Sequence, residues 1–201
     1  MKLLLDTDAF CKLGLAGLLD DAVALFGVGL GNCARLQALP HMLRRGALVR
    51  RFGPEACNAL LSLVDQVPVI EQARADWLDE IVGIDSIDPG EAQLFALAAE
   101  RQLTVLTGDK RSLVGLRAAP NVLVALSGRV AVLESVLLDL CERRGVEDVR
   151  VHVAVLQNLD IMVQSCFSPG NANPRDGLTS YFSATVADVH PLLLRQPGSP
   201  R

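Results

Sequence analysis

Leu3-Leu4-Leu5-Asp6-Thr7-Asp8 decides how this chain is read. Three consecutive leucines between charged side chains have the length and composition of a strand buried on both faces, and such strands belong to parallel sheets. The run ends on an aspartate. Leu103-Thr104-Val105-Leu106-Thr107-Gly108-Asp109-Lys110 repeats the pattern, an apolar β-rich run followed by an acid. Between the two, Asp88-Pro89-Gly90-Glu91-Ala92 opens a helix, with Asp88 and Glu91 at capping-box spacing and Pro89 at the first helical position. That helix runs straight into the second strand and must be antiparallel to it, so its start lies at the edge where both strands end. Asp6, Glu91 and Asp109 are thereby expected at one edge of one sheet. Ligand sites of open α/β sheets sit at that edge.

Outward from these motifs, strands alternate with helices. Helices are expected from Ala9 to Leu19, Asp20 to Phe26, Pro54 to Val64, Glu71 to Ile81 and Pro89 to Arg101. Further strands are expected at Cys33–Leu39, Val67–Ile70 and Val122–Leu126. Gly128 precedes a helix expected over Val130–Arg144, ending at Gly145. Val149 to Val155 alternate as a strand would, but His152, Val155, Leu159, Met162 and Cys166 keep a helical step, and the helical reading is preferred. Ser168–Gly177 reads as a loop, Leu178–Val189 as a last helix, and Arg195–Arg201 as a frayed tail. The fold class is α/β, a three-layer parallel sheet flanked by helices. The expected organisation is an α/β domain over 1–144 and a helical C-terminal extension over 145–201.

The 201 residues are half hydrophobic with few aromatics, which makes the core aliphatic. A net charge of −4 argues against a generally nucleic-acid-coating protein and leaves room for a local basic groove. The five cysteines are scattered, odd in number and lack a Cys-x-x-Cys, so neither a disulfide framework nor a zinc site is expected. With no run long enough to cross a membrane and no signal-peptide pattern, the expected location is the cytoplasm.

Each acid also has a structural role open to it. Asp8 and Asp109 are placed to cap helices, and Glu91 sits where a capping box expects an acid. Asp6 is harder to assign this way, because it ends a buried strand, where an uncompensated carboxylate is costly. A cluster of carboxylates without His or Cys suits Mg²⁺ or Mn²⁺. Such a centre hydrolyses phosphodiesters by polarising phosphoryl oxygens and activating water. Asp6, Glu91 and Asp109 are the candidate catalytic acids, and together with Asp8 the candidate metal ligands. Thr107, a strand-terminal hydroxyl beside Asp109, is a supporting residue. Arg44, Arg45, Arg50, Arg51 and Lys110 are candidate contacts to a phosphate backbone. Each of these cations also suits a solvated face or an ion pair.

Leu3–Asp8, the helix opened by Gly90-Glu91-Ala92, and Leu106-Thr107-Gly108-Asp109-Lys110 together resemble the PIN-domain family over residues 1–130. That family comprises metal-dependent nucleases, many of them RNA-cleaving toxins of toxin–antitoxin pairs. The resemblance implies a single-stranded RNA substrate, bound by Arg44, Arg45, Arg50, Arg51 and Lys110, a divalent cation and a protein antitoxin; a homodimer is a further partner expectation, with the C-terminal segment as its contact. It places Asp6, Glu91 and Asp109 on the family's acidic positions and Asp8 on the polar position after the first acid. The family usually carries another acid on the helix after its second strand. Here Leu39-Pro40-His41-Met42-Leu43-Arg44-Arg45 supplies none, and Glu55 is the nearest substitute. A site short of one acid implies weak divalent binding, weaker still if Arg44 occupies the lost position.

Two other functions compete. A PIN-like fold lacking an acid could be a non-catalytic binding or scaffolding module, with the C-terminal segment as its docking surface. Asp6-Thr7-Asp8 also resembles the first motif of haloacid-dehalogenase-type phosphatases, with Asp6 as nucleophile. That reading lacks the later acid in Lys110–Ala119 and leaves Glu91 unexplained.

Overall fold

A computed structural model describes residues 2–197. Four parallel strands, β1 (Leu3–Leu5), β2 (Cys33–Arg35), β3 (Thr104–Thr107) and β4 (Val130–Val132), form one sheet in the order β2-β1-β3-β4. Leu3 pairs with Cys33 on one side and Thr104 on the other, and Val105 pairs with Val130. The chain order reverses between β1 and β3, so a crevice is expected beyond their C-terminal ends. Asp6 follows β1 at that point, and Asp109 lies just past β3.

Successive strand residues point to opposite sides of a sheet. Leu3 and Leu5 enter one buried cluster and Leu4 enters another. The first cluster is roofed by α1 (Thr7–Leu15), α2 (Leu19–Ala24), α3 (Leu39–Arg44), α4 (Ala47–Phe52) and α5 (Pro54–Val64). The second lies under α6 (Ala75–Asp79), α7 (Pro89–Arg101), α8 (Lys110–Gly115) and α9 (Pro120–Leu126). The sheet is therefore covered by helices on both faces. After β4 come α10 (Leu133–Arg144), α11 (Val146–Val153), α12 (Ile161–Phe167) and α13 (Pro174–Val189). Val149, Val153, Val163 and Phe167 join the same buried cluster as Leu3 and Leu5.

Both outer strands are bordered by a single bridging residue. Val69 bridges Arg35 of β2, and Leu194 bridges Val130 of β4, both in parallel. Ile70 N donates to Arg35 O at 2.8 Å, and Arg195 N donates to Val130 O at 2.7 Å.

Several expectations are corrected. Val122–Leu126 is helix, not strand: Pro120 starts α9, Val122, Leu123 and Leu126 are buried, and Val124 is 72% exposed. That pattern is one face of a helix, not a strand between two layers. The strand lies just beyond, because Val130–Val132, expected to begin a helix, is fully buried and pairs with β3. Cys33–Leu39 is a strand only to Arg35, after which Leu39–Arg44 is helical. Val67–Ile70 contributes the single bridge at Val69, and the helix expected over Glu71–Ile81 spans only Ala75–Asp79. The helical reading of 149–166 holds for α11 and α12, with a 3₁₀ turn at Ala154–Leu156 between them. The last helix starts at Pro174 inside the expected loop. Arg195, expected in a frayed tail, is tied to β4; Gly198 to Arg201 lie outside the described residues. No helix among the described residues is long and apolar enough to cross a membrane.

Candidate functional site

Asp6 extends β1 by one rung, its N–H donating to Leu106 O at 3.0 Å. Its side chain turns into the sheet edge and is 7% exposed. Thr107 Oγ1 donates to Asp6 Oδ2 at 3.3 Å and accepts from Asp109 N at 3.1 Å, so one hydroxyl ties the ends of β1 and β3 together. Burial pushes the Asp6 carboxyl up to about 7, and the charges of Asp8 and Glu91 push the same way. The Thr7 N–H and the Thr107 hydroxyl oppose the rise without cancelling it.

Glu91 reaches this edge because α7 runs back from it into β3. Asp88 caps the helix: Glu91 N donates to Asp88 Oδ1 at 2.8 Å, and Asp88 N donates to Glu91 Oε2 at 3.0 Å. Gly90 makes room for this turn, since a Cβ there would stand 2.7 Å from Leu36 Cδ1. Burial also raises the Glu91 carboxyl to about 7; Asp109 and Asp88 add to the rise, while the Asp88 N–H and the Ser112 hydroxyl work against it. Asp6 feels Glu91, and Glu91 feels Asp109. Ion pairs found at this edge among the described residues go to Asp8 and Asp109, and none to Asp6 or Glu91.

Asp109 and Asp8 are differently placed. Asp109 caps α8, with Oδ1 accepting from Arg111 N at 2.8 Å and Ser112 N at 3.2 Å, while Oδ2 meets the Arg111 guanidinium at 3.4 Å. Asp8 lies close over Gly108, where a Cβ would stand 3.2 Å from Asp8 Oδ2. Both Asp8 oxygens hold cations: Oδ2 is 2.5 Å from Lys12 Nζ, and Oδ1 is 2.7 Å from Arg51 Nη1. The buried Lys12 also meets Asp160 Oδ2 at 2.5 Å. Burial opposes the Lys12 charge, but Asp8 and Asp160 outweigh it and the ammonium is held above its ordinary range. Arg51 Nη2 donates to Leu159 O at 3.3 Å. The segment before α12 is thus stitched to α1 and α4 at the acid edge.

The expected basic set divides. Arg51 is spent on Asp8, and Lys110 forms an ion pair with Asp188 of α13. Arg44, Arg45 and Arg50 are exposed on α3, α4 and the turn between them. Arg44 is exposed and forms no ion pair among the described residues; at this edge Lys12 and Arg51 meet Asp8, and Arg111 meets Asp109. Glu55 is exposed in the first turn of α5. The pair Asp8–Lys12 is one helical turn apart and legible as such. Asp160 gave no sequence signal, because its contact joins distant segments.

Hard carboxylate oxygens on Asp6 and Glu91, in no ion pair among the described residues, fit a divalent ion, as does the buried, unpartnered Thr7 hydroxyl next to Asp6 in the chain. Asp8 fits poorly, its oxygens being committed to Lys12 and Arg51. Among the described residues, no group of three or more His, Cys, Asp or Glu side chains is drawn together as a ready cation cage. Comparison with protein-family models, curated proteins and solved structures returns no match.

Proposed function

We propose that this chain is a divalent-metal-dependent ribonuclease of PIN type, with Asp6 and Glu91 as its principal acids and Asp109 in support. One observation carries the reading: two buried carboxyls from separate elements lie within electrostatic reach of each other, in no ion pair among the described residues, at the switch point of a parallel sheet. Keeping such groups uncompensated is costly unless a cation or proton shares the site. Asp6 and Glu91 would hold Mg²⁺ or Mn²⁺, which supplies charge stabilisation at a phosphoryl group and a more acidic water. The chain's own residues set the rest. Thr107 orients Asp6, Asp88 orients Glu91, and the exposed Arg44, Arg45 and Arg50 offer phosphate contacts to a single-stranded RNA. A cytoplasmic setting, a protein antitoxin and a homodimer belong to the same proposal.

The test is cleavage of single-stranded RNA with Mn²⁺ or Mg²⁺, its arrest by EDTA, and its loss in Asp6→Asn and Glu91→Gln. Undiminished cleavage by both variants would end the proposal. A trapped acyl-phosphate on Asp6 would replace it with a phosphatase.

A second reading is favoured by Asp8. Lys12 and Arg51 occupy both its oxygens, and Asp109 is engaged in capping, so the edge also suits a non-catalytic PIN-like module. Absence of both cleavage and divalent binding would select it.

A further inference from the structure

The opposite edge of the sheet holds an open cavity of about 950 Å³. That volume suits a small organic ligand. Lys2, Thr104 and Arg129, at the starts of β1, β3 and β4, line one side; Phe182 and Val186 of α13 line another, and Arg195 also faces it. Three cations therefore border one space, and no carboxylate lines it among the described residues. Arg129 donates to Gln102 O at 2.7 Å and to Gln102 Oε1 at 3.2 Å, at the C-terminal end of α7. Arg195 donates to Thr104 Oγ1 at 2.9 Å. Capping of α7 accounts for two of the five Arg129 donors and leaves the others. It accounts for neither Lys2, whose exposed side chain has no ion pair among the described residues, nor the half-buried Phe182 beside these cations.

A concave site lined by one sign of charge concentrates ions of the other sign. The apolar wall of Phe182 and Val186 adds a surface for a hydrocarbon body. We propose that this cavity binds a small organic anion, a phosphate monoester or a carboxylate borne on an apolar group. The oxyanion sits against Lys2 and Arg129, and the apolar group lies against Phe182 and Val186; Arg195, engaged by Thr104 and the Phe26 ring, forms part of the rim.

The test is calorimetric titration of the full chain at low salt, with phenyl phosphate, benzoate and the uncharged benzyl alcohol. It is run in EDTA, which makes the outcome independent of the acidic edge. At least one of the two anions binds, and the alcohol binds at least about tenfold more weakly, since it lacks the charge-assisted contacts. Whichever anion binds more tightly assigns the ligand to phosphate esters or carboxylates. Lys2→Gln, at an exposed side chain, or Arg129→Gln lowers affinity for that anion about fivefold, as expected for one lost charge-assisted bond. Three outcomes would overturn the proposal: neither anion binding at millimolar concentration, the alcohol binding as tightly as the anions, or an affinity unaltered in both variants.

Discussion

Among the described residues, Asp6 and Glu91 are buried within electrostatic reach of each other and in no ion pair where the strands end, and Lys2, Arg129 and Arg195 border an open cavity lined by no carboxylate where the strands begin. Helix polarity sorts the two sets. α1, α7 and α8 start at the first edge, where their unpaired N–H groups favour acids, and α7 ends at the second, where its carbonyls favour cations. The same field acts on both edges, but burial differs. Arg129 remains partly solvated and meets carbonyl oxygens, so its charge is cheap to keep. Asp6 has lost water and gained only the Thr7 N–H and a 3.3 Å bond from Thr107, so its charge is costly. Helix ends alone place charges; a strained, reactive charge requires removal of solvent as well.

The largest effect expected from breaking this contrast is on chemistry. Asp6→Asn lowers RNA cleavage about a thousandfold, the several kcal/mol a bound cation contributes to a phosphoryl-transfer barrier. Steady-state cleavage measures it, and a loss of less than tenfold would remove Asp6 from the site.

Next is pH. The folded Asp6 binds its proton up to about pH 7, whereas the unfolded carboxyl releases it near 3.8. The folded state binds more protons across that window, so stability from this group is full below the lower value and is lost as pH rises through the upper one. For Asp6 the total is of order 4 kcal/mol. Glu91 changes in the same direction. Urea unfolding without divalent ions from pH 4 to 8 should show falling stability in the native chain and a flatter curve in Asp6→Asn. A native stability that rose through this range would mean that a cation neutralises the pair.

Lys12→Met comes third. It leaves Asp8 and Asp160 without their shared ammonium and should cost about 3 kcal/mol, the usual penalty for removing one partner of a buried ion pair. Thermal unfolding measures it, and a cost below 1 kcal/mol would show that the network at Asp8 is dispensable. The smallest effect belongs to the other edge. Arg129→Gln should cost about 1 kcal/mol through its lost bonds to Gln102, with no change in the shape of the pH–stability curve. A changed shape would tie the two edges together.

The sequence was most legible where local chemistry and topology agreed. Leu3–Leu5 and Thr104–Thr107 are buried runs ending in acids, and Asp88 with Glu91 forms the capping box their spacing implies. Together these bring Asp6, Glu91 and Asp109 to one edge. Val122–Leu126 misled because five β-branched and aliphatic residues suit a strand or one face of a helix equally well. The deciding signal was Pro120 before it, a helix-start residue, with the strand deferred to Val130. The counter-charges were less legible. Lys12 stands one turn from Asp8, but nothing local announces that Asp160 completes its coordination. The choice of Arg51 over Arg44 depends on how α3 and α4 are angled, which composition does not encode.

The short bridges at Val69 and Leu194 have a consequence for how this protein meets others. The outermost strand of an open sheet normally offers a row of free backbone donors and acceptors, an invitation to strand exchange and to fibril growth. Here Arg35 and Val130 already spend theirs on the chain's own passing segments. One residue on each rim is thereby closed to an incoming strand, which disfavours recruitment by backbone zippering there. A second copy or a regulatory protein has more to gain from side chains displayed on helices, a surface that mutation can retune without disturbing the sheet.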